Sequence, residues 1–179
     1  GCVSKKLIES TEIIAALKAV RTSEGPAYAM IAPAFLGQFE NVTPGKLRTA
    51  LKKVGFDGML EVALFADILT LKEAFEFDRN IRTESDFQLT SCCCPMWIGM
   101  IRKVYNDLMN HVPGSVSPMV ACGRVVKKLH PNALTVFIGP CLAKKAEARE
   151  KDLVGDVDFV LTFQEIKSIF EALDINPSE

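Results

Sequence analysis

The chain has 179 residues, of which 49% are hydrophobic and 24% charged, with a formal net charge of -1 and six cysteines. At roughly 100–200 residues per domain this predicts a single domain over 1–179, long enough to bury a real core. The apolar content excludes disorder, and the near-zero charge gives no footprint for nucleic acid or an anionic membrane. No apolar run reaches the roughly 18 residues that a membrane span needs.

Residues 4–22 read as an amphipathic helix, part of an N-terminal helical segment over 1–24, with Leu7, Ile8, Ile13, Ile14 and Leu17 on one side. Gly25-Pro26 breaks it. The continuous apolar run 27–32 predicts a buried parallel strand, ended by Pro33. Thr43-Pro44-Gly45 opens a helix, with Thr43 as N-cap, that runs through Leu47, Leu51 and Val54 to Gly55. A second strand is expected over 59–64 and a helix over 66–81, capped near Asp67. Residues 87–91 read as a third strand that runs straight into Cys92. Pro95 begins a helix expected to continue through Trp97, Ile101 and Tyr105 to Leu108. Ser117-Pro118 starts the next, with Val120, Val125, Val126 and Leu129 as its apolar side. Strands are expected over 134–138 and 157–161, then a last helix over 163–173 and a truncated tail over 175–179.

Strand and helix therefore alternate about five times, which predicts an α/β fold with a parallel sheet of about four to five strands and helices on both faces. In such sheets, sites form outside the carboxyl ends of the strands. Three segments are expected there: Ala32-Pro33-Ala34, Cys92-Cys93-Cys94-Pro95 and Pro140-Cys141. The fold reading thus places Cys92–94 and Cys141 on one rim.

Three consecutive cysteines do not suit a secreted disulfide framework. No signal peptide is visible, so the reading is a reducing, cytoplasmic setting, and the missing initial Met suggests an excised piece. Cys122, inside a helix, reads as a small buried hydrophobe, and Cys2 as a bystander. The run before Pro95 differs, because a helix N-terminus behind a thiol favours thiolate. Zinc would want paired C-x₂₋₄-C spacings, and thioredoxin-like chemistry a C-x-x-C. Soft thiolates on one rim suit iron–sulfur chemistry, yet the rim offers two geometric candidates where a cluster takes about four. A cofactor-free thiol-rich domain therefore stays open at this point. Lys144 shares a helix face with Cys141, whereas Lys145 reads as an exposed helix start. Glu73 and Glu76, three apart, read as a solvated face, and His111 and His130 as surface residues.

Thr90-Ser91-Cys92-Cys93-Cys94-Pro95-Met96-Trp97-Ile98 resembles the first signature of iron-only (FeFe) hydrogenase catalytic domains, commonly T-S-C-C-P-G-W. Gly139-Pro140-Cys141-Leu142-Ala143-Lys144-Lys145-Ala146-Glu147 resembles the second, M-P-C-x-x-K-x-x-E. The resemblance implies a 4Fe-4S cubane linked to a two-iron centre that carries CO, cyanide and a bridging dithiolate and interconverts protons, electrons and dihydrogen. By motif, Cys94 and Cys141 would be cubane ligands, and Cys93 the thiol passing protons to the bridging amine. Lys144 would hydrogen-bond a cyanide. Ala32 and Pro33 would line the pocket and Pro118 would sit near the distal iron. Glu73, Glu76 and Glu147 fall where the family runs its proton path.

The third signature, which supplies the other two cubane cysteines, is absent, and Gly139 stands where the family has Met. The resemblance thus implies the first lobe of a hydrogenase catalytic domain, inactive alone, with its cofactor absent or incomplete. Its expected partners are the remaining lobe of the same polypeptide and a ferredoxin-like electron carrier, with no nucleic acid and no membrane. The alternatives are a sensory or regulatory hydrogenase-like iron–sulfur module and a relative of the iron–sulfur assembly proteins.

Overall fold

The computed structural model describes residues 11–89 and 93–179. Four strands form one sheet: β1 (Ala27–Ile31), β2 (Gly58–Glu61), β3 (Leu134–Gly139) and β4 (Phe159–Thr162), in the order β2-β1-β3-β4. Every pairing is parallel; Ala27 to Ile31 lie opposite Leu134 to Ile138 in unbroken register. β1 is covered on both faces, since Ala27, Ala29, Met30 and Ile31 are all buried. That is why it reads as a continuous apolar run rather than an alternating one.

The helices are α1 (Ile13–Thr22), α2 (Pro44–Val54), α3 (Ala63–Asn80), α4 (Pro95–Val104), α5 (Pro118–Leu129), α6 (Ala143–Glu147) and α7 (Phe163–Ala172). From β1 to β2 the chain steps one way across the sheet; from β2 to β3 it steps back past β1. Right-handed crossovers therefore put α2 and the α3–α5 stretch on opposite faces. Accordingly α2 packs on α7, and α5 packs on α3 and the central strands.

The caps at Thr43 and Ser117 are in place. Thr43 Oγ1 accepts from Lys46 N at 3.3 Å, and Ser117 Oγ from Val120 N at 3.5 Å. α2 buries Leu47, Ala50, Leu51 and Val54, one stripe of an amphipathic helix. In α5 a Cβ on Gly123 would sit 2.1 Å from the Asp156 carbonyl oxygen, so this helix can lie against the entry to β4 only as glycine.

Two aspartates tie the amino edge of the sheet. Asp57 Oδ2 accepts from Ala27 N at 2.7 Å, while Asp57 N donates to Ala27 O at 2.8 Å. Asp158 Oδ2 accepts from Thr135 N at 2.8 Å, Thr135 Oγ1 at 3.0 Å and Lys127 Nζ at 2.6 Å. At the outer edge, the Glu12 carboxylate accepts from Val160 N at 3.2 Å and pairs with Arg149. With the amino ends clamped, the carboxyl ends of β1 and β3 are left to build a site.

Several boundaries differ from the sequence expectation. The first helix begins at Ile13, and residues 4–10 of its expected span lie outside the described residues. The second strand ends at Glu61, and α3 begins at Ala63 behind Val62, whose backbone is already helical, without a cap from Asp67. A short apolar run does not tell strand from buried helix start. No strand forms over Phe87–Leu89: Leu89 N donates to His111 O at 2.7 Å, outside the sheet. His111 stacks on Phe87 with centroids 3.8 Å apart, and its Nδ1 lies 2.9 Å from Phe87 O, so it is half-buried rather than a free surface residue. Thr90 and Ser91 of that expected strand lie outside the described residues. The helix from Pro95 stops at Val104 and gives way to a 3₁₀ stretch, Asn106–His111. The last strand starts at Phe159 because Asp158 is turned to Thr135 as a clamp.

The close approach at Gly123 sets a stability test. Gly123→Ala is expected to cost about 1–3 kcal/mol by overpacking, read as a lower urea midpoint.

Candidate cysteine and lysine site at the carboxyl edge

β1 and β3 end side by side, and the chain leaves them as Ala32-Pro33 and Pro140-Cys141. Ala32 N still donates to Ile138 O at 2.9 Å, so the two exits stay fastened one residue beyond β1. Ala32 is buried, while Pro33 is exposed and opens a 3₁₀ turn over Pro33–Phe35. At Gly139 a Cβ would meet the Phe137 ring at 2.6 Å and Ala32 Cβ at 3.2 Å, so glycine lets these exits close together.

From the other direction, Cys93 and Cys94 lead into α4, with Cys94 at its N-cap position. Both are exposed; Cys141 is half-buried. Lys144, on the single-turn α6, joins the two segments. Its Nζ donates to Cys93 O at 2.9 Å and to Glu147 Oε2 at 2.6 Å. The Lys144 and Glu147 side chains are 13% and 9% exposed, so this pair works in a partly dry edge. The convergence expected of the two cysteine segments on one rim is thus present, although Cys92 lies outside the described residues.

The donor set sets a limit. Among the described residues no group of three or more His, Cys, Asp or Glu could hold a metal ion. A cubane takes about four thiolates; the described residues of this edge hold Cys93, Cys94 and Cys141, fewer than that. The Trp97 indole Nε1, in the first turn of α4, is buried and finds no acceptor among the described residues. A buried donor left without a partner is rare.

Lys145 is a correction. It is 6% exposed, not an exposed helix start, and its Nζ donates to Glu165 Oε1 at 2.7 Å. Consecutive helical residues point about 100° apart, so with Lys144 turned to the cysteines Lys145 turns inward. Burial pushes the Glu165 carboxyl up, but the Lys145 ammonium and the Thr162 N–H outweigh it, and the group sits below the usual carboxylate range. The pattern that could have shown this is Thr162-x-x-Glu165, a capping box whose acid also needs a cation.

Glu73 and Glu76 lie on α3 and are half-buried rather than fully solvated. Glu76 Oε1 accepts from Gly114 N at 3.0 Å, and Lys72 bridges Glu76, Gly114 O and Ser115 Oγ. The second glutamate is thereby tied to the stretch just before Pro118, which stands half-buried at the first position of α5. His130 is exposed, as expected.

Cys122 is fully buried, and burial pushes its thiol from the usual 9.0 up to about 12. Because the folded value is raised, its stabilisation is whole below about pH 9 and is lost as pH climbs toward 12. Cys122→Ala is expected to flatten the alkaline fall of the unfolding midpoint. Native iodoacetamide labelling should modify Cys93 and Cys94 well before Cys122; mass spectrometry of the peptides reads this.

Residues 26–179 match the family model described as iron only hydrogenase large subunit, C-terminal domain. Iron hydrogenase 1 of Clostridium pasteurianum is 31% identical over 175 residues, covering 91% of this chain and 29% of that protein. Cytosolic iron-sulfur assembly component 3 of Pongo abelii is 29% identical over 148 residues, covering 72% of this chain and 31% of that protein. A FeFe-hydrogenase structure describing stepwise H-cluster assembly superposes with a TM-score of 0.80 at 27% identity, over 95% of this chain and 49% of that one. The chain therefore spans about a third of these curated relatives and half of that solved structure. Its two cysteine segments meet through Lys144 on this shared fold, and the chain belongs to the family of the iron-only hydrogenase large subunit, C-terminal domain.

Proposed function

We propose that this chain is the first lobe, over 1–179, of an iron-only hydrogenase catalytic domain, contributing half of the protein ligands to the hydrogen-converting centre. The observation that carries the reading is Lys144 held between Cys93 O and Glu147, which puts a cation beside the paired cysteine motifs. In this reading Cys94 and Cys141 are two thiolate ligands of the 4Fe-4S cubane. When bound, the complete group supplies the interconversion of protons, electrons and dihydrogen. Cys93 holds and passes a proton at its Sγ. Lys144 Nζ presents N–H donors to an anionic diatomic ligand, a charge-assisted bond strengthened by the partly dry edge. Ala32, Pro33 and Pro118 wall the pocket. Glu73 and Glu76 carry protons toward it along α3.

With two thiolates of about four, the chain alone holds no complete centre and does not turn over hydrogen. The partner that completes it is the remaining lobe of the same polypeptide, and a ferredoxin-like carrier brings electrons. One surface supports a missing half. α3 buries none of its residues and exposes Leu64, Ile68, Leu71 and Phe75 by 53–62%, spaced four, three and four apart along one stripe. A stripe of that kind suits cover by further protein. No helix among the described residues is long and apolar enough to cross a membrane; a cytoplasmic setting belongs to the proposal.

The likeness to the iron-sulfur assembly component favours a second reading, a non-catalytic iron–sulfur module of sensory, regulatory or assembly type. Gas chromatography after anaerobic maturation is expected to find no hydrogen from the isolated chain; measurable evolution would overturn the half-site reading. Anaerobic titration with iron and sulfide separates ligands from bystanders. Cys94→Ser and Cys141→Ser should each remove at least half of the iron-dependent visible absorbance, and Cys122→Ser should leave it unchanged. Equal absorbance in all three variants would refute the ligand assignment.

A further inference from the structure

Two adjacent lysines leave α6 toward different partners. Lys144 reaches out to Cys93 O and Glu147. Lys145 reaches in to Glu165, with side chains 6% and 8% exposed. Glu165 is also fastened to the sheet. Its Oε2 accepts from Thr162 N at 2.7 Å, and its own N–H donates to Thr162 Oγ1 at 3.2 Å. Thr162 is the last residue of β4 and lies opposite Gly139, the last residue of β3. Two residues after Gly139 comes Cys141, and three later Lys144. A closed ring results: Gly139, Thr162, Glu165, Lys145, Lys144, Cys141.

α6 packs on α4 and β4, but it is only five residues long and Leu142 gives it no side-chain cap. A buried ion pair is a poor way to gain stability, because desolvation offsets most of the attraction and an apolar pair often does as well. Directional fixing is what such a pair adds, since a charge-assisted bond has a preferred geometry and an apolar contact has none.

We propose that the Lys145–Glu165 pair is a positioning device that sets the rotation of α6 against α7, and so aims Lys144 at the cysteine segment. The positional claim concerns this chain alone; its consequence for cofactor binding rests on the proposed function above. Neither Lys145 nor Glu165 touches the cysteines in this account. They act through Lys144 and Cys141.

The test uses nitrogen-15 NMR of lysine ammonium groups in the apo chain, with Lys144→Met identifying the Lys144 signal. Glu165→Gln keeps the capping box, because glutamine also serves at that position, and removes only the counter-charge. Lys145→Met keeps the bulk, and the double variant K145M/E165Q leaves no unpaired charge. Circular dichroism and thermal unfolding establish which variants are folded. The proposal expects the Lys144 ammonium protons to exchange about tenfold faster or more in every folded variant, as for loss of a charge-assisted bond. Its signature is a double variant with wild-type stability and a lost Lys144 signal. A protected Lys144 signal in the folded double variant would overturn it, assigning the pair to packing alone. Unfolding of all three variants would overturn it in the same way. The same variants then take the iron and sulfide titration. Unchanged iron binding with a lost Lys144 signal upholds the positioning and instead sinks the reading of this edge as a cofactor site.

Discussion

The parallel ladder between β1 and β3 is the constraint on which everything else hangs. It brings Ala27–Ile31 against Leu134–Ile138 across more than half the chain, with residues on both strands buried. Such a pairing has no local reward until both strands are covered, so the helices and the ladder stabilise one another. Asp57 and Asp158 then lock the amino ends, each through its own backbone and side chain. Register at the clamped end dictates where the other end finishes. The exits at Ala32 and Cys141 are neighbours because no residue of the ladder slips.

On that edge, charge is used sparingly and in pairs. Lys144 with Glu147 and Lys145 with Glu165 are two ion pairs from one short helix, and both are largely shielded from water. Either cation left alone there would carry a heavy desolvation cost. The two pairs do different work. One faces the cysteines and holds a donor in their reach. The other faces the core, where Glu165 already closes the capping box of α7. A five-residue helix packed on α4 and β4 thus also carries an ion pair toward each of two neighbours.

The opposite tendency marks α3, whose eighteen residues include none that are buried. Its stripe from Leu64 to Phe75 is as apolar as a core face and yet exposed. The chain covers about half of the solved hydrogenase structure it matches. An exposed apolar stripe on a helix with no buried residue is a surface suited to cover by further protein.

Much of this was legible locally. Thr43 and Ser117 announced their helices because a cap needs only the three residues that follow it. β1 showed as an unbroken apolar run because both its faces are covered. The cysteine motifs stood out because core packing asks for no such runs. What failed to read through was decided at a distance. Phe87–Leu89 alternates like a strand but is drawn to His111 and finds no place in the ladder. Phe159 starts the last strand, not Val157, because Asp158 answers to Thr135, twenty-three residues away. Lys144 and Lys145 are indistinguishable as neighbours in sequence. Only the packing of α6 on α4 and β4 decides that one faces the site and the other the core. Periodicity, caps and motifs are local and so belong to the sequence; the partner of a charged side chain depends on which distant elements the ladder brings beside it.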